Sequence, residues 1–408
     1  MKALQKHHLG FPLANFLIAA LLGLFMRYTS ISDIGFPFTY RYITHAHSHV
    51  AMLGWVYLAL FILIVHHFSS GRQTKYRRLF WLTQVSAIGM LCSFPFQGYG
   101  AVSITFSSLH VLASYSFIYF IWKDTKTQSS AAATLLRASL LFMFLSTLGL
   151  WFMGPIMALK ISGPWSQIPV QFFLHFQFNG WFIFAVIAIL FQILRVSSSS
   201  DFNRFIVSLG LSIFFTFAWP LSWYLQSAVW WWLNALGIFL QLIALFYLMR
   251  IVLPKLKRYW QATARLNHRL LYFTLLCFVL KIFLQSLILI PDFAEKAHLY
   301  TNFIIGFIHL TMLGLISGFL LLYFLDLSLF IRRKSLVQTG IYLFIIGVTS
   351  TEIILFFQGI LFYFGKGTFP YYFLILFIAS AILVLGIFFL LLQLCLKPTK
   401  RKIQIYYF

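Results

Sequence analysis

Apolar runs recur from one end of this 408-residue chain to the other, and each approaches the ~20 residues that a helix needs to cross a bilayer's hydrocarbon core. Within lipid every backbone N–H and C=O must be satisfied inside the segment, so runs of this kind fold as helices. Twelve are counted, at about 11–28, 47–66, 79–97, 102–122, 135–158, 168–194, 204–222, 228–249, 270–290, 300–325, 337–361 and 370–396. The stretch 204–249, with Trp219-Pro220 and the Trp230–Trp232 run, is the hardest to divide, and the Trp run reads as an interfacial belt. Only 9% of residues are charged, against about 25% in soluble domains. The expected fold is all-α and polytopic, a single integral membrane domain over 1–408. No connecting segment is long enough for a soluble catalytic or nucleotide-binding domain.

The net charge of +23 comes from 30 Lys and Arg against 7 Asp and Glu. In a soluble chain that balance would suggest nucleic acid. Here the basic residues sit in short loops and act as topology signals. With the N-terminus inside, 24 of them fall on the cytoplasmic side. These are Lys2, Lys6 and the basic residues of 72–78, 123–137, 195–204, 250–269, 332–334 and 397–402. Five lie outside, namely Arg27, Arg41, Lys160, Lys296 and Lys366, and Lys281 falls within a span. This asymmetry obeys the positive-inside rule and places both termini in the cytoplasm. The first run lacks a small-residue cleavage site and is expected to be a retained span. Anionic lipid headgroups are a secondary attraction, and nucleic acid is not a partner. Cys92, Cys277 and Cys395 lie in or at the edge of apolar runs, which excludes a disulfide framework.

Ionisable side chains inside spans are costly, so each is a functional candidate. They are His45, His47 and His49 entering span 2, His110 in span 4, His175 in span 6, Lys281 in span 9, His309 in span 10 and Glu352 in span 11. All six histidines sit in the outer half of even-numbered spans. Neutral imidazole is the commonest side-chain ligand for transition metals.

A repeat links three of them. Span 2 reads His49-Val-Ala-Met-Leu-Gly54-Trp55, span 6 reads His175-Phe-Gln-Phe-Asn-Gly180-Trp181, and span 10 reads His309-Leu-Thr-Met-Leu-Gly314-Leu315. The intervals are 126 and 134 residues, four spans each time. The twelve spans thus divide into three pseudo-symmetric groups of four, roughly 1–130, 131–260 and 261–408. The glycine lets either a flat macrocycle or a neighbouring helix come close. On a helix His45 and His49 share a face, whereas His47 and His49 point about 200° apart and can serve two separate cofactors. His45 is either a ligand or a solvated residue at the aqueous end of its span.

This layout resembles the haem-copper oxidase superfamily, which includes the catalytic subunits of cytochrome oxidases and nitric oxide reductases. There, histidines on helices 2, 6 and 10 of a twelve-helix bundle bind haem and copper or non-haem iron. The string His45-Ala-His47-Ser-His49-Val-Ala-Met-Leu-Gly54-Trp55 is similar to the His-x-His segment before Gly-Trp in cbb-type oxidases. It also resembles the Trp-His-Ala-His element of the NnrS family, twelve-span haem- and copper-containing proteins linked to nitric oxide stress. The resemblance implies haem on His47, His49, His175 and His309, with His110 and Arg41 as further cofactor contacts. It implies a second metal, copper or non-haem iron, on residues drawn from His45, His49, His175 and His309. No CxxCH motif is present, so the haem would be b-type, held by ligation and packing. A quinol or cytochrome donor, a partner subunit and a bacterial inner-membrane location follow from the same resemblance.

The sequence also departs from that pattern. Span 7 contains no histidine, Asn179 stands four residues after His175 where a cross-linking tyrosine is found, and span 10 offers His309 alone. Glu352 is a candidate proton relay. Lys281 is another, and it can alternatively pair with Glu352, a propionate or a quinone carbonyl. Three functions remain open: a haem oxidoreductase or electron carrier acting on nitric oxide or oxygen, a haem or metal protein of nitric oxide stress without turnover, and a twelve-span transporter.

Overall fold

A computed structural model describes residues 8–32, 38–69, 73–126, 128, 130–327 and 334–395. The charge signals at Lys2, Lys6, Arg72, Arg332, Arg333 and 397–402 lie outside the described residues. Among the described residues, twelve helices are long and apolar enough to cross a membrane. They are α1 (Gly10–Tyr28), α2 (Tyr40–Phe68), α3 (Thr74–Gln97), α4 (Ala101–Thr125), α5 (Ala131–Ala158), α6 (Pro164–Ile193), α7 (Ser200–Ser222), α8 (Ala228–Lys257), α9 (Arg265–Leu287), α10 (Thr301–Asp326), α11 (Ser335–Tyr363) and α12 (Tyr372–Leu394). The number agrees with the apolar runs, and most helices extend several residues beyond them. Polar first turns carry no hydropathy signal, yet they continue the same backbone ladder. As a result α2 starts at Tyr40, and His45 and His47 lie within the helix.

Three helices form the centre. The apolar windows of α2, α6 and α10 are 78%, 72% and 67% buried, whereas those of the other nine are 28–50% buried. A helix buried on every side can be apolar all round, and in these three the stretches Leu58–Val65, Ile183–Ile189 and Gly318–Phe324 are buried at every residue. Side chains close the central triangle. The Trp55 indole N–H of α2 donates to Ser317 Oγ of α10 at 2.8 Å. The Tyr323 hydroxyl of α10 donates to the Ile189 carbonyl of α6 at 2.7 Å. The rings of Trp181 on α6 and Tyr57 on α2 stand 6.2 Å apart.

Each central helix changes conformation at the same point. Immediately after His49, His175 and His309 the backbone becomes π-helical, over Val50–Tyr57, Phe176–Phe182 and Leu310–Ser317. Such segments are rare and favour functional sites. The inserted residue advances the helix face by about 100°, so the turn bearing the histidine need not share a direction with the turns that fill the core. Side chains bond carbonyls inside these segments. Asn15 Nδ2 donates to the Gly54 carbonyl at 2.8 Å, and Ser317 Oγ donates to the Met312 carbonyl at 2.7 Å.

The repeated glycines now have an assigned neighbour. A Cβ on Gly54 would lie 3.1 Å from Asn15 Cβ, one on Gly180 would lie 2.6 Å from Phe142 Cγ, and one on Gly314 would lie 2.6 Å from Cys277 Sγ. Asn15, Phe142 and Cys277 belong to α1, α5 and α9, the first helix of each group of four. The glycines admit the neighbouring helix, so the alternative that they admit a macrocycle is not what these positions do.

Candidate functional site

The six histidines occupy three separate places around the central helices. Their neighbours differ: His47 and His309 both lie near Arg27, His45 and His49 face Tyr99 and Phe94 with His110 near His49, and His175 lies near Lys281. The repeat histidines His49, His175 and His309 therefore do not converge. Among the described residues no three His, Cys, Asp or Glu side chains come together in a metal-holding group.

The first place joins α1, α2, α10 and α11. His47 is half-buried and its Nδ1 lies 2.8 Å from the Ala19 carbonyl. A carbonyl only accepts, so Nδ1 carries the proton and Nε2 keeps its lone pair. Metal-ligating histidines are oriented by this kind of hydrogen bond through the other ring nitrogen. A Cβ on Gly23 would lie 3.1 Å from His47 Cε1, so a glycine on α1 makes room for the ring. His309 lies within electrostatic reach of His47 and of Arg27. Arg27 in turn reaches His47, Tyr40, Tyr372 and Glu352. Both Glu352 carboxylate oxygens are buried without a hydrogen-bond partner among the described residues, and a Cβ on Gly306 would come within 3.5 Å of Oε2.

The second place lies on the opposite side of α2. His49 Nδ1 lies 2.9 Å from the His45 carbonyl, which again fixes the proton on Nδ1. His45 and His49 stand against one aromatic wall, 4.6 Å from Tyr99 and 4.4 Å from Phe94 respectively. Burial pushes the Tyr99 phenol above its ordinary value, and the nearby Arg41 charge partly offsets this. His110 on α4 lies within electrostatic reach of His49, and its ring meets Tyr57 edge-on at 4.7 Å.

The third place holds His175 and Lys281. His175 Nε2 donates to the Ile213 carbonyl of α7 at 2.8 Å, leaving the lone pair on Nδ1. Lys281 is fully buried within electrostatic reach of it. The Lys281 ammonium donates to Gln285 Oε1 at 2.8 Å and sits 5.5 Å from the Phe307 ring centroid. Four ion pairs are formed among the described residues and none joins Lys281 to Glu352. That pairing is corrected: Glu352 shares its environment with Arg27 instead.

Two residues escape a reading by span. Arg27 looks like a loop charge, but it is in the last turn of α1 and its long side chain reaches inward to the His47 and His309 region. Arg41, which the sequence offers as a propionate partner, lies near His45 and Tyr99 on the other side of α2. Asp326, at the end of α10, accepts hydrogen bonds from Tyr259 and Asn267 and ties three helices together. An acidic residue closing an apolar run was the available signal for it.

No protein-family model matches this chain, and no curated protein matches it significantly.

Proposed function

We propose that the chain is a haem-binding integral membrane redox protein, in which His47 of α2 and His309 of α10 would hold the haem and Arg27 would meet its propionates. The observation that carries this reading is the conjunction at the first place. There, a histidine whose Nδ1–H is held by the Ala19 carbonyl, a second histidine, and a guanidinium that forms no ion pair among the described residues lie within electrostatic reach of one another. The donor set fits. Neutral imidazole nitrogens suit iron, and arginine binds carboxylates through two parallel N–H bonds. Haem bound there would supply one-electron chemistry. Ala19 holds the His47 tautomer, Gly23 leaves space for its ring, and Glu352 can hold a proton at its carboxylate beside Arg27. The redox partner by chemical class is a quinol or cytochrome donor, with nitric oxide or oxygen as acceptor.

A reading without turnover, as a haem protein of nitric oxide stress, is favoured over a binuclear oxidase by one specific observation. Helix α7, which meets His175 through the Ile213 carbonyl, contains no histidine to complete a copper site. A transporter is the remaining class.

The test is an oxidised and a dithionite-reduced visible spectrum of the purified full-length protein from haem-replete cells. A Soret band and reduced-state α bands are expected. They should disappear in His47→Ala and in His309→Ala and persist in His175→Ala. A haem-free wild type overturns the haem reading, and an unchanged spectrum in both His47→Ala and His309→Ala overturns the assignment of the pair.

A further inference from the structure

The first turn of α7 and Arg250 of α8 stand side by side. Arg204 Nη1 lies 3.9 Å from Asp201 Oδ1, and Arg250 Nη2 lies 3.3 Å from Asp201 Oδ2. Arg204 also donates to the Tyr247 hydroxyl at 3.4 Å, with its guanidinium 5.7 Å from that ring. The Arg250 guanidinium lies 5.8 Å from the Phe246 ring. One carboxylate thus gathers two guanidiniums from two helices, and the trio keeps a net positive charge. Both arginine side chains are more than half exposed. A guanidinium has five N–H donors, and these contacts occupy only a few of them.

Apolar stripes lead up to the pair on both helices. Beyond Arg204 the exposed residues of α7 are Val207, Leu211 and Phe214, three or four apart and therefore on one face. On α8 Phe239, Leu242 and Phe246 are exposed at the same spacing, and the exposed Arg250 and Lys257 continue that face. The two helices pack closely, since a Cβ on Gly237 would lie 2.6 Å from the Thr216 backbone nitrogen. Helix α8 begins at Ala228. At 1.5 Å per residue Arg250 is about 33 Å further along, which matches a hydrocarbon core of about 30 Å. The arginines stand at headgroup depth when the stripes lie among acyl chains.

This pattern selects an amphipathic anion. A phosphate oxygen pair suits a guanidinium fork. A zwitterionic headgroup brings its own cation and gains little net attraction, and free phosphate has nothing to lay on the stripes. We propose that Arg204 and Arg250 bind an anionic phospholipid, with its phosphate on the two guanidiniums and its acyl chains along the exposed stripes of α7 and α8. Asp201 positions the arginines by holding them together. The site is separate from the three histidine places and does not require haem.

The experiment is native mass spectrometry of the full-length protein in neutral detergent, incubated with phosphatidylglycerol, phosphatidylcholine or inorganic phosphate. Phosphatidylglycerol should be retained in preference to phosphatidylcholine at equal concentration. Arg204→Gln with Arg250→Gln should weaken that retention by about tenfold or more, because each arginine near a lipid surface contributes to the attraction. Arg204→Lys with Arg250→Lys keeps the charge and should retain part of the affinity, which guards against a misfolded glutamine variant. Arg77→Gln with Arg78→Gln removes the same charge from exposed positions at the start of α3 and should leave retention unchanged. Four results overturn the proposal: equal retention of the two lipids, wild-type retention in the Arg204 and Arg250 glutamine variant, an equal loss in the Arg77 and Arg78 variant, or inorganic phosphate bound as tightly as the lipid.

Discussion

Trp55 on α2 donates its indole N–H to the Ser317 hydroxyl on α10 at 2.8 Å, and Ser317 donates its own O–H to the Met312 carbonyl at 2.7 Å. One hydroxyl thus accepts across the central interface and donates along its own π-helical segment. Ser317 is 1% exposed, so neither partner has solvent as a substitute. Ser317→Ala leaves an indole N–H unpaired and should cost about 1–2 kcal/mol. A fall in the thermal midpoint in detergent measures this. An unchanged midpoint would show that the central triangle does not depend on the bond.

The glycines of the repeat differ in what a methyl group would meet. Gly180→Ala drives a Cβ to 2.6 Å from the base of the Phe142 ring, which cannot swing away as a flexible chain end can. Overpacking of this kind costs about 1–3 kcal/mol. Gly10→Ala meets nothing within 4 Å and serves as the control. The first variant should lower the thermal midpoint and the second leave it in place; equal midpoints would refute close packing of α5 on α6.

Lys281 is a buried ammonium with one hydrogen-bonded acceptor, Gln285, and no ion-pair partner among the described residues. Removing a buried charge in favour of an apolar chain of similar length is often neutral or stabilising. Lys281→Met should therefore leave the thermal midpoint unchanged or raise it. A marked loss would reveal that Lys281 balances a negative group which the bundle needs.

Outside the spans, the short helix Pro291–Ala297 carries Asp292, bonded by Lys296 at 2.7 Å and by the Tyr363 hydroxyl. These donors, Lys296 foremost, hold the Asp292 carboxyl below its ordinary value, and Asp292 holds the Lys296 ammonium above its own. A depressed carboxyl contributes stability above its unfolded value, about 4, that is lost as pH falls through the folded value. The raised amine contributes below about 10.4, and its share is lost as pH rises through the folded value. In Lys296→Ala the Asp292 carboxyl should titrate closer to an unperturbed aspartate, read by its carboxyl carbon shift. A titration identical to wild type would contradict the pairing.

Much of this was legible in the chain. Helix number came directly from hydropathy, because lipid forbids unsatisfied backbone and apolar runs have one way to comply. The interval between His49, His175 and His309 marked three corresponding points, and the structure puts a π-helical segment at each. The opposite directions of His47 and His49 follow from helical geometry alone. The contacts of those side chains were not legible. Nothing local says that His47 meets the Ala19 carbonyl, that Arg27 folds back toward His309, or that Glu352 shares space with Arg27 rather than Lys281.

By itself, then, the sequence determined the number of helices and which residues interrupt their apolar faces, since these depend only on local hydropathy and backbone hydrogen bonding. The tertiary structure decided that α2, α6 and α10 are central and that their histidines have three different sets of neighbours. Both depend on which helices pack together and on a change of helical phase at each π-helical segment. Contacts between residues tens to hundreds of positions apart set them, and no local pattern of residues encodes those contacts.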